Sequence, residues 1–546
     1  MRAFVARIPA RAAAVLTVAV FALSALVPAR AMEDHGHATH DVVGNPTPVE
    51  IREGSLEYLG GSAFTGGHVA REGDRLYVGA YGLGMRIFDI SDPAAPREIG
   101  AYLPGVRADV PPDAAVFDGR HIAVLNGTRR THSLLPDDGR TDRTEFLDVT
   151  DPANPRVLWT FGPDQIDGES HNGDIVDARR LYLPSGGVGV QGLRIYDLTP
   201  LLGDPPAAPA ILFRGDPVAL WEASPFREGR AVGAAYTHTH DIEVYVDHPV
   251  RQPDGSLARR DIALLAEGGS YLNNNGNTGS AFVIDITDPR APVVLYRWLH
   301  ERGEDHHPIR YHHEAQLLAG DPSVMLVTDE DLHNGCGGAG GTTAIRLNDT
   351  LTSGVELSEW FIPASTPAPV CSVHVFSSHD DLVFIGSYNA GLQVVDYSDP
   401  ANPRQVAFSI QPGSTAWGAL YHQGYVYVGD MSRGLDVYRY PLPDLAISSA
   451  DVAATRQHDG SVLIRATVRN VGTAEASDVV VDFLDEGERF AGGSVPRLGP
   501  GESATFEATL KPKGKRTVTV VADPNGAITE LREDNNSASI NVSPKR

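Results

Sequence analysis

Cysteine is nearly absent from this 546-residue chain, with Cys336 and Cys371 the only two. Neither has a CxxC or Cys/His spacing, which argues against a cysteine-based zinc site. In an oxidising compartment such a pair is expected to form a disulfide. Basic charge is scarce too: 45 Lys and Arg against 70 Asp and Glu leave a net charge of −25. That balance argues against nucleic acid, whose phosphates it would repel. A GxSxG elbow, a phosphate loop and a dinucleotide fingerprint in a strand–helix context are all missing. So is any pair of histidines at a self-sufficient metal spacing such as HExxH.

Long apolar runs are confined to the N-terminus. Arg2, Arg7 and Arg11 precede an apolar stretch from Ala12 to Leu26, and Ala29-Arg30-Ala31 offers a small-residue cleavage site. This reads as an export signal over residues 1–31, too short for a membrane span. No comparable run follows, so no membrane span is expected after cleavage. The expected location is secreted or periplasmic, with a flexible mature N-terminus over residues 32–54.

What the chain has in abundance is turn residues, with 56 Gly and 39 Pro. Together with 42% hydrophobic and 21% charged residues, they describe a globular protein of many tight turns. Its length implies two or more domains.

The strongest signal is a repeat. Gly84-Met-Arg-Ile-Phe-Asp89-Ile-Ser-Asp92-Pro93-Ala-Ala-Pro96 recurs with variations ending at Asp151-Pro152, Asp288-Pro289 and Asp399-Pro400, and in shortened form at Gly192–Thr199. Degenerate copies lie at Ala344–Asp349 and Gly434–Tyr440. Each copy is an apolar strand stopped by Asp-Pro-x-x-Pro, where Asp tightens the turn and Pro removes ladder donors. Flanking strands make four per unit of about 40–60 residues, the size of a propeller blade. The copies predict an all-β fold with a seven-bladed β-propeller over residues 55–442. Leu56-Glu-Tyr-Leu-Gly60 is placed to supply the strand that the last repeat lacks. The interval Asp197 to Asp285 holds either one blade with an insertion around Pro217–Ala235, or a hidden eighth blade. On the strands reading Leu-Arg-Ile-Tyr-Asp197 and Leu-Gln-Val-Val-Asp396, this region resembles the LVIVD-repeat family, a resemblance that implies a propeller and says nothing of chemistry.

After Pro443-Asp444 the pattern changes to alternating strands, such as Ser461–Val468, Ser477–Phe483, Ser503–Leu510 and Arg516–Val521. These predict a small Ig-like β-sandwich over residues 443–546. Pro443-Asp444-Leu, Arg469-Asn-Val-Gly472, Leu498-Gly-Pro-Gly and Ile528-Thr-Glu530-Leu-Arg-Glu-Asp534-Asn535-Asn536 resemble the CARDB module. That resemblance implies a spacer or surface-contact domain.

Twenty histidines are present, and many fall where an inner strand opens. Inner strands line a propeller's channel, so their first residues converge at one mouth. His171, His238 or His240, His312 or His313, and His374 are the candidate metal ligands. His68, Glu267, Asp329, Asp331, His333 and Trp417 are expected to face the same ligand site, beside the Asn273-Asn274-Asn275 loop. Imidazole with carboxylate suits copper, zinc or manganese. The alternative is that these groups only hydrogen-bond neighbouring blades or channel water. His35, His37 and His40, the His306-His307 pair and the acidic Asp329-Glu330-Asp331 run are weaker candidates.

The sequence is compatible with two functions. One is an exported binding protein whose ligand is a carbohydrate or another cell-surface component. The other is a metal-dependent secreted enzyme, a copper-type oxidase or a polysaccharide lyase or hydrolase. Glu267, Glu314, Tyr236 or Tyr311 would then be its acid/base groups.

Overall fold

The computed structural model describes residues 49–543 apart from 81–82, 105–112, 118, 127–142, 162–171, 177–179, 185–191, 228–237, 253, 269–278, 300–310, 331–335 and 339. The expected signal at residues 1–31 lies outside the described residues. Strand dominates, and the only α-helix among the described residues is Pro217–Ala223, capped by the Asp216 carboxylate on the Val218 amide at 2.8 Å.

Between Ile51 and Arg439 the described strands form seven antiparallel sheets. Each opens with its inner strand: Gly66–Glu72, Asp113–Phe117, Asp174–Val176, His238–Arg251, His312–Leu317, Phe376–His379 and Ala416–His422, here blades 1 to 7. Inner strands of neighbouring blades touch, those of blades 5 and 6 through Glu314 and Gln316 on the Phe376 backbone, and that of blade 7 touches that of blade 1, which makes the arrangement a closed ring. The interval from Asp197 to Asp285 supplies one sheet of its own, blade 4, with the helix inserted before it.

Closure uses the N-terminal strand as expected. Glu57–Ser62 pairs antiparallel with Gly434–Arg439 and completes blade 7. Tyr58 donates its hydroxyl to Asp436 at 3.0 Å, and Arg433 donates to the Tyr58 hydroxyl at 2.7 Å. The segment expected as a flexible N-terminus, residues 32–54, includes a short strand at its end. Ile51–Glu53 adds a fifth strand to the edge of blade 6, and Ser409 donates to Glu50 at 3.0 Å. An edge strand offers unpaired backbone groups that recruit such a segment. Gly54, at φ +79°, then turns the chain toward blade 7.

The repeat's chemistry is visible at each turn. In blade 1 the Asp89 carboxylate accepts from the Ser91 amide at 3.0 Å and pairs with Arg97 at 2.9 Å, while Asp92 accepts from the Ala94 amide at 3.1 Å. Asp148 with Arg156 and Asp396 with Arg404 repeat the arrangement in blades 2 and 6. Local side-chain capping therefore explains why the Asp and Pro positions recur.

The propeller's core is seven wedges, one between each neighbouring pair of blades, and not a single centre. Tyr77, Met85, Leu125 and Leu147 fill the wedge between blades 1 and 2; Leu76, Phe88, Tyr427 and Leu435 fill the one between 7 and 1. The ring is thus held by apolar faces, which leaves the axis to polar side chains.

Cys336 and Cys371 are bonded, joining blade 5 to the segment entering blade 6 across 35 residues. Replacing both by serine is expected to lower unfolding stability by about 3–4 kcal/mol, from the unfolded-chain entropy that a loop of this length removes. A denaturant titration of the double variant checks this.

The C-terminal sheets are Leu445–Ala446, Val462–Asn470 and Val452–Arg456 with Ser503–Leu510, and Glu488–Leu498, Ala476–Asp485, Arg516–Ala522 and Ser537–Val542. Ile464, Val481, Phe483 and Val518 meet between them as one apolar core. The tail motif is structural: the buried Glu530 carboxylate accepts from the Leu445 amide and the Asn536 side chain, and Asn535 donates to Asp444 at 2.7 Å. Leu531 packs onto the apolar wedge between blades 6 and 7.

Candidate metal centre

An ordinary strand turns successive side chains to opposite faces, so two neighbours cannot both face the channel. Here the rule is broken at one recurring place. The inner strands of blades 1, 4, 5 and 7 each carry a register shift where they open: between Gly66 and Val69, Thr239 and Ile242, His312 and Ala315, and Ala416 and Gly418. A bulge re-aims the residues it contains. His240 with Asp241, His313 with Glu314, and Trp417 lie within these shifts.

The outcome is a packed group of imidazoles from three consecutive blades. The ring centroids of His240 and His313 lie 3.9 Å apart, and those of His313 and His374 also 3.9 Å apart. All three side chains are buried. Among the described residues, two ligand sets result. In one, donor atoms of His240, Asp241 and His313 lie within 4.8 Å of one another; in the other, those of His313, Glu330 and His374 do. His313 belongs to both.

Aromatic rings wall the group. His374 has Trp417 edge-on at 5.0 Å and Tyr388 at 5.2 Å, and His240 has Tyr311 edge-on at 5.3 Å. The ring of His68 sits 5.1 Å from His374 and 5.7 Å from Trp417. Burial alone pushes the His68 pKa down to about 3, so its imidazole stays neutral. Loss of hydration raises Asp241 to about 7, against hydrogen bonds from the Ile242 amide and Asn172. Burial, then the neighbouring Asp241, pushes Glu314 well above the usual carboxylate range.

A cavity of about 280 Å³ is lined by inner-strand residues, among them His68, Asp174, Asp241, Glu243, Glu314 and Gln316. The axis therefore has room for a small ligand or water beside the cluster.

The residues singled out from sequence separate into groups. His240, His313, His374, His68 and Trp417 come together. His312 does not: its ring turns away and packs 4.8 Å from Trp298. As neighbours on one strand, it and His313 point to opposite faces. Glu267 is engaged elsewhere, in a buried ion pair with Arg297 at 2.7 Å and a hydrogen bond from Ser280. Burial raises its pKa to about 7, with Arg297 opposing. Asp329 accepts from the Tyr311 amide at 2.8 Å and so braces the opening of blade 5. Glu314 accepts from the Phe376 amide at 3.0 Å and links blades 5 and 6. His171, Asp331, His333, Tyr236, Asn273–Asn275, the tract His35, His37 and His40, and the His306-His307 pair lie outside the described residues, as does the side chain of His238.

Sequence reasoning does not single out Asp241 or Tyr388. The signal for Asp241 is a carboxylate directly after an inner-strand histidine, repeated as Glu314 in blade 5. Glu330, the residue following the second strand of blade 5, stands out in sequence only as part of the acidic Asp329-Glu330-Asp331 run.

The chain carries LVIVD repeats and a CARDB domain: residues 66–103 and 373–407 match the LVIVD repeat, and residues 442–540 match CARDB. No curated protein matches it. Among solved structures, the β-propeller domain of Myceliophteria thermophila Cps50 (Swd1) is 11% identical, covering 70% of this chain and 99% of that one, at a TM-score of 0.43. BamB from Moraxella catarrhalis is 10% identical over 68% of this chain and 85% of its own, at 0.36. A CARDB domain from Pyrococcus furiosus is 21% identical, covering 19% of this chain and 94% of that one, at 0.17.

Proposed function

We propose that this protein is an exported binding protein that holds a transition-metal ion at the propeller axis and captures its ligand there. The pairing of a β-propeller with a CARDB domain already describes an interaction protein. The observation that carries the metal reading is the contact of three imidazoles from blades 4, 5 and 6, with Asp241 and Glu330 beside them. Neutral imidazoles with one or two carboxylates form a donor set suited to zinc, copper or manganese. His240, Asp241 and His313 lie on strands of the closed ring, with Glu330 and His374 one or two residues from strand ends, so such a set needs little reorganisation.

Export is supported by the N-terminal pattern at residues 1–31 and by the Cys336–Cys371 bond, which persists in oxidising compartments. In the same reading, residues 55–442 form the binding body and 443–546 the contact module. The axial cavity, lined by the carboxylates of Asp174, Asp241, Glu243 and Glu314, suits a small polar ligand approaching the ion, such as a sugar of the cell surface.

Elemental analysis of the full mature chain tests the reading. About one transition-metal ion per chain is expected after dialysis against metal-free buffer, since several buried donors would hold it at once. Protein that retains no such ion, and whose melting temperature is the same with added metal and with chelator, contradicts it.

A further inference from the structure

Two ligand sets share His313, and one ion of ordinary size cannot take both fully. We infer that the ion occupies the set formed by His313, Glu330 and His374, and that Tyr388 is the residue that positions Glu330 for it. The inference rests on the metal reading above and assigns the site within it.

Metal-bound side chains are held by hydrogen bonds on their far sides, which fix the tautomer of a histidine and the direction of a carboxylate. His374 and Glu330 both have such partners. The Nδ1 of His374 lies 2.9 Å from the Trp417 carbonyl oxygen, which only accepts. Nδ1 therefore carries the hydrogen, and Nε2 is the nitrogen with the lone pair. The Tyr388 hydroxyl donates to Oε1 of Glu330, and the Glu330 amide donates to the Tyr311 carbonyl at 2.8 Å. Both ends of Glu330 are thus tied.

The backbone at Tyr388 adds a separate argument. Its φ is +46°, in the left-handed region where a bulky aromatic residue is a true outlier. It is fully buried, and it is pinned there by a pair of backbone bonds with Ala416, at 2.7 and 2.9 Å, that tie blade 6 to blade 7. Strain of this kind persists where the surroundings over-determine it, and it clusters at functional sites. Here the strained conformation delivers the hydroxyl to Glu330 and the ring edge to His374. Two histidines and one carboxylate leave open positions for ligand, the arrangement associated with divalent iron and similar ions.

Co²⁺ titration of the full chain, followed by its visible absorption, tests the assignment. Tyr388→Phe removes only the hydroxyl, and is expected to weaken Co²⁺ binding about 10–100-fold and to shift the absorption bands. Glu330→Gln still accepts the tyrosine hydrogen bond, so it keeps the fold while losing more affinity than Tyr388→Phe. Tyr397→Phe is the control: that buried tyrosine bonds to Thr342, and its loss lowers stability without moving the Co²⁺ spectrum. Asp241→Asn is expected to lose less affinity than Tyr388→Phe. Wild-type binding with Tyr388→Phe unchanged in affinity and spectrum overturns the assignment alone, as does a larger loss in Asp241→Asn. Wild-type protein that takes up no Co²⁺ overturns the metal reading itself.

Discussion

His313→Ala protein is expected to retain no stoichiometric metal, with affinity lowered by well over 100-fold, while the propeller still folds. The expectation follows from the sharing of His313 between the two donor sets. Loss of His240 or His374 leaves one set whole, but loss of His313 leaves neither. An outer hydrogen bond to a metal ligand is worth about 10–100-fold in affinity, and a ligand itself is worth more. The imidazole lies at the axis and outside the seven apolar wedges, so its removal spares the packing that closes the ring. Elemental analysis alongside near-ultraviolet circular dichroism separates loss of metal from loss of fold. A His313→Ala variant with the wild-type metal content would mean that the imidazoles serve only the packing of the channel.

Deleting residues 49–62 is expected to lower the melting temperature by at least about 10 °C or to yield aggregated protein. The deletion removes a whole strand of blade 7 and with it Leu56 from the wedge between blades 6 and 7. It also removes Tyr58 from Asp436 and Arg433, and Glu57 from Arg439 at 2.8 Å. Gly434–Arg439 then becomes an exposed edge with unpaired backbone groups, a template for association. Leu56→Ala isolates the apolar part and is expected to cost about 2–4 kcal/mol by the usual scale for emptying a packed site. Several such losses together explain the larger shift for the strand. A synthetic 49–62 peptide added in trans should restore part of the lost stability. A deletion variant that melts with the wild type would show that the ring does not depend on its N-terminal strand.

Much of this fold is legible in the sequence because its repeat is written locally. Asp89, Asp148 and Asp396 cap the turn that follows their own strand, so strand, stop and turn all fall within a dozen residues. Closure by Glu57–Ser62 is legible too, since the last repeat lacks a strand and an unassigned one precedes the first. The strand Ile51–Glu53 is not. It carries no periodic pattern, and its place is set by an edge at Phe408–Ile410, far along the chain.

The candidate site was only partly legible. Placing histidines at the opening of inner strands finds His240, His313, His374 and His68. Choosing between His312 and His313 needs the register shift, which depends on how the second strand pairs and leaves no residue signature of its own. Glu267 misled for a related reason: it ends a second strand as the mouth requires, yet its carboxylate turns to Arg297, whose position follows from the fourth strand of the same blade. Tyr388 could not be found from sequence, because its role comes from a left-handed backbone set by blade 7.

X-ray absorption spectroscopy of the Co²⁺-loaded full chain tests the central claim most directly, because it counts the atoms around the ion. The account predicts a shell of two or three imidazole nitrogens with carboxylate oxygen at about 2.0–2.2 Å, and loss of the imidazole scattering in His313→Ala. A shell of oxygen alone, or the same spectrum from both proteins, would contradict it.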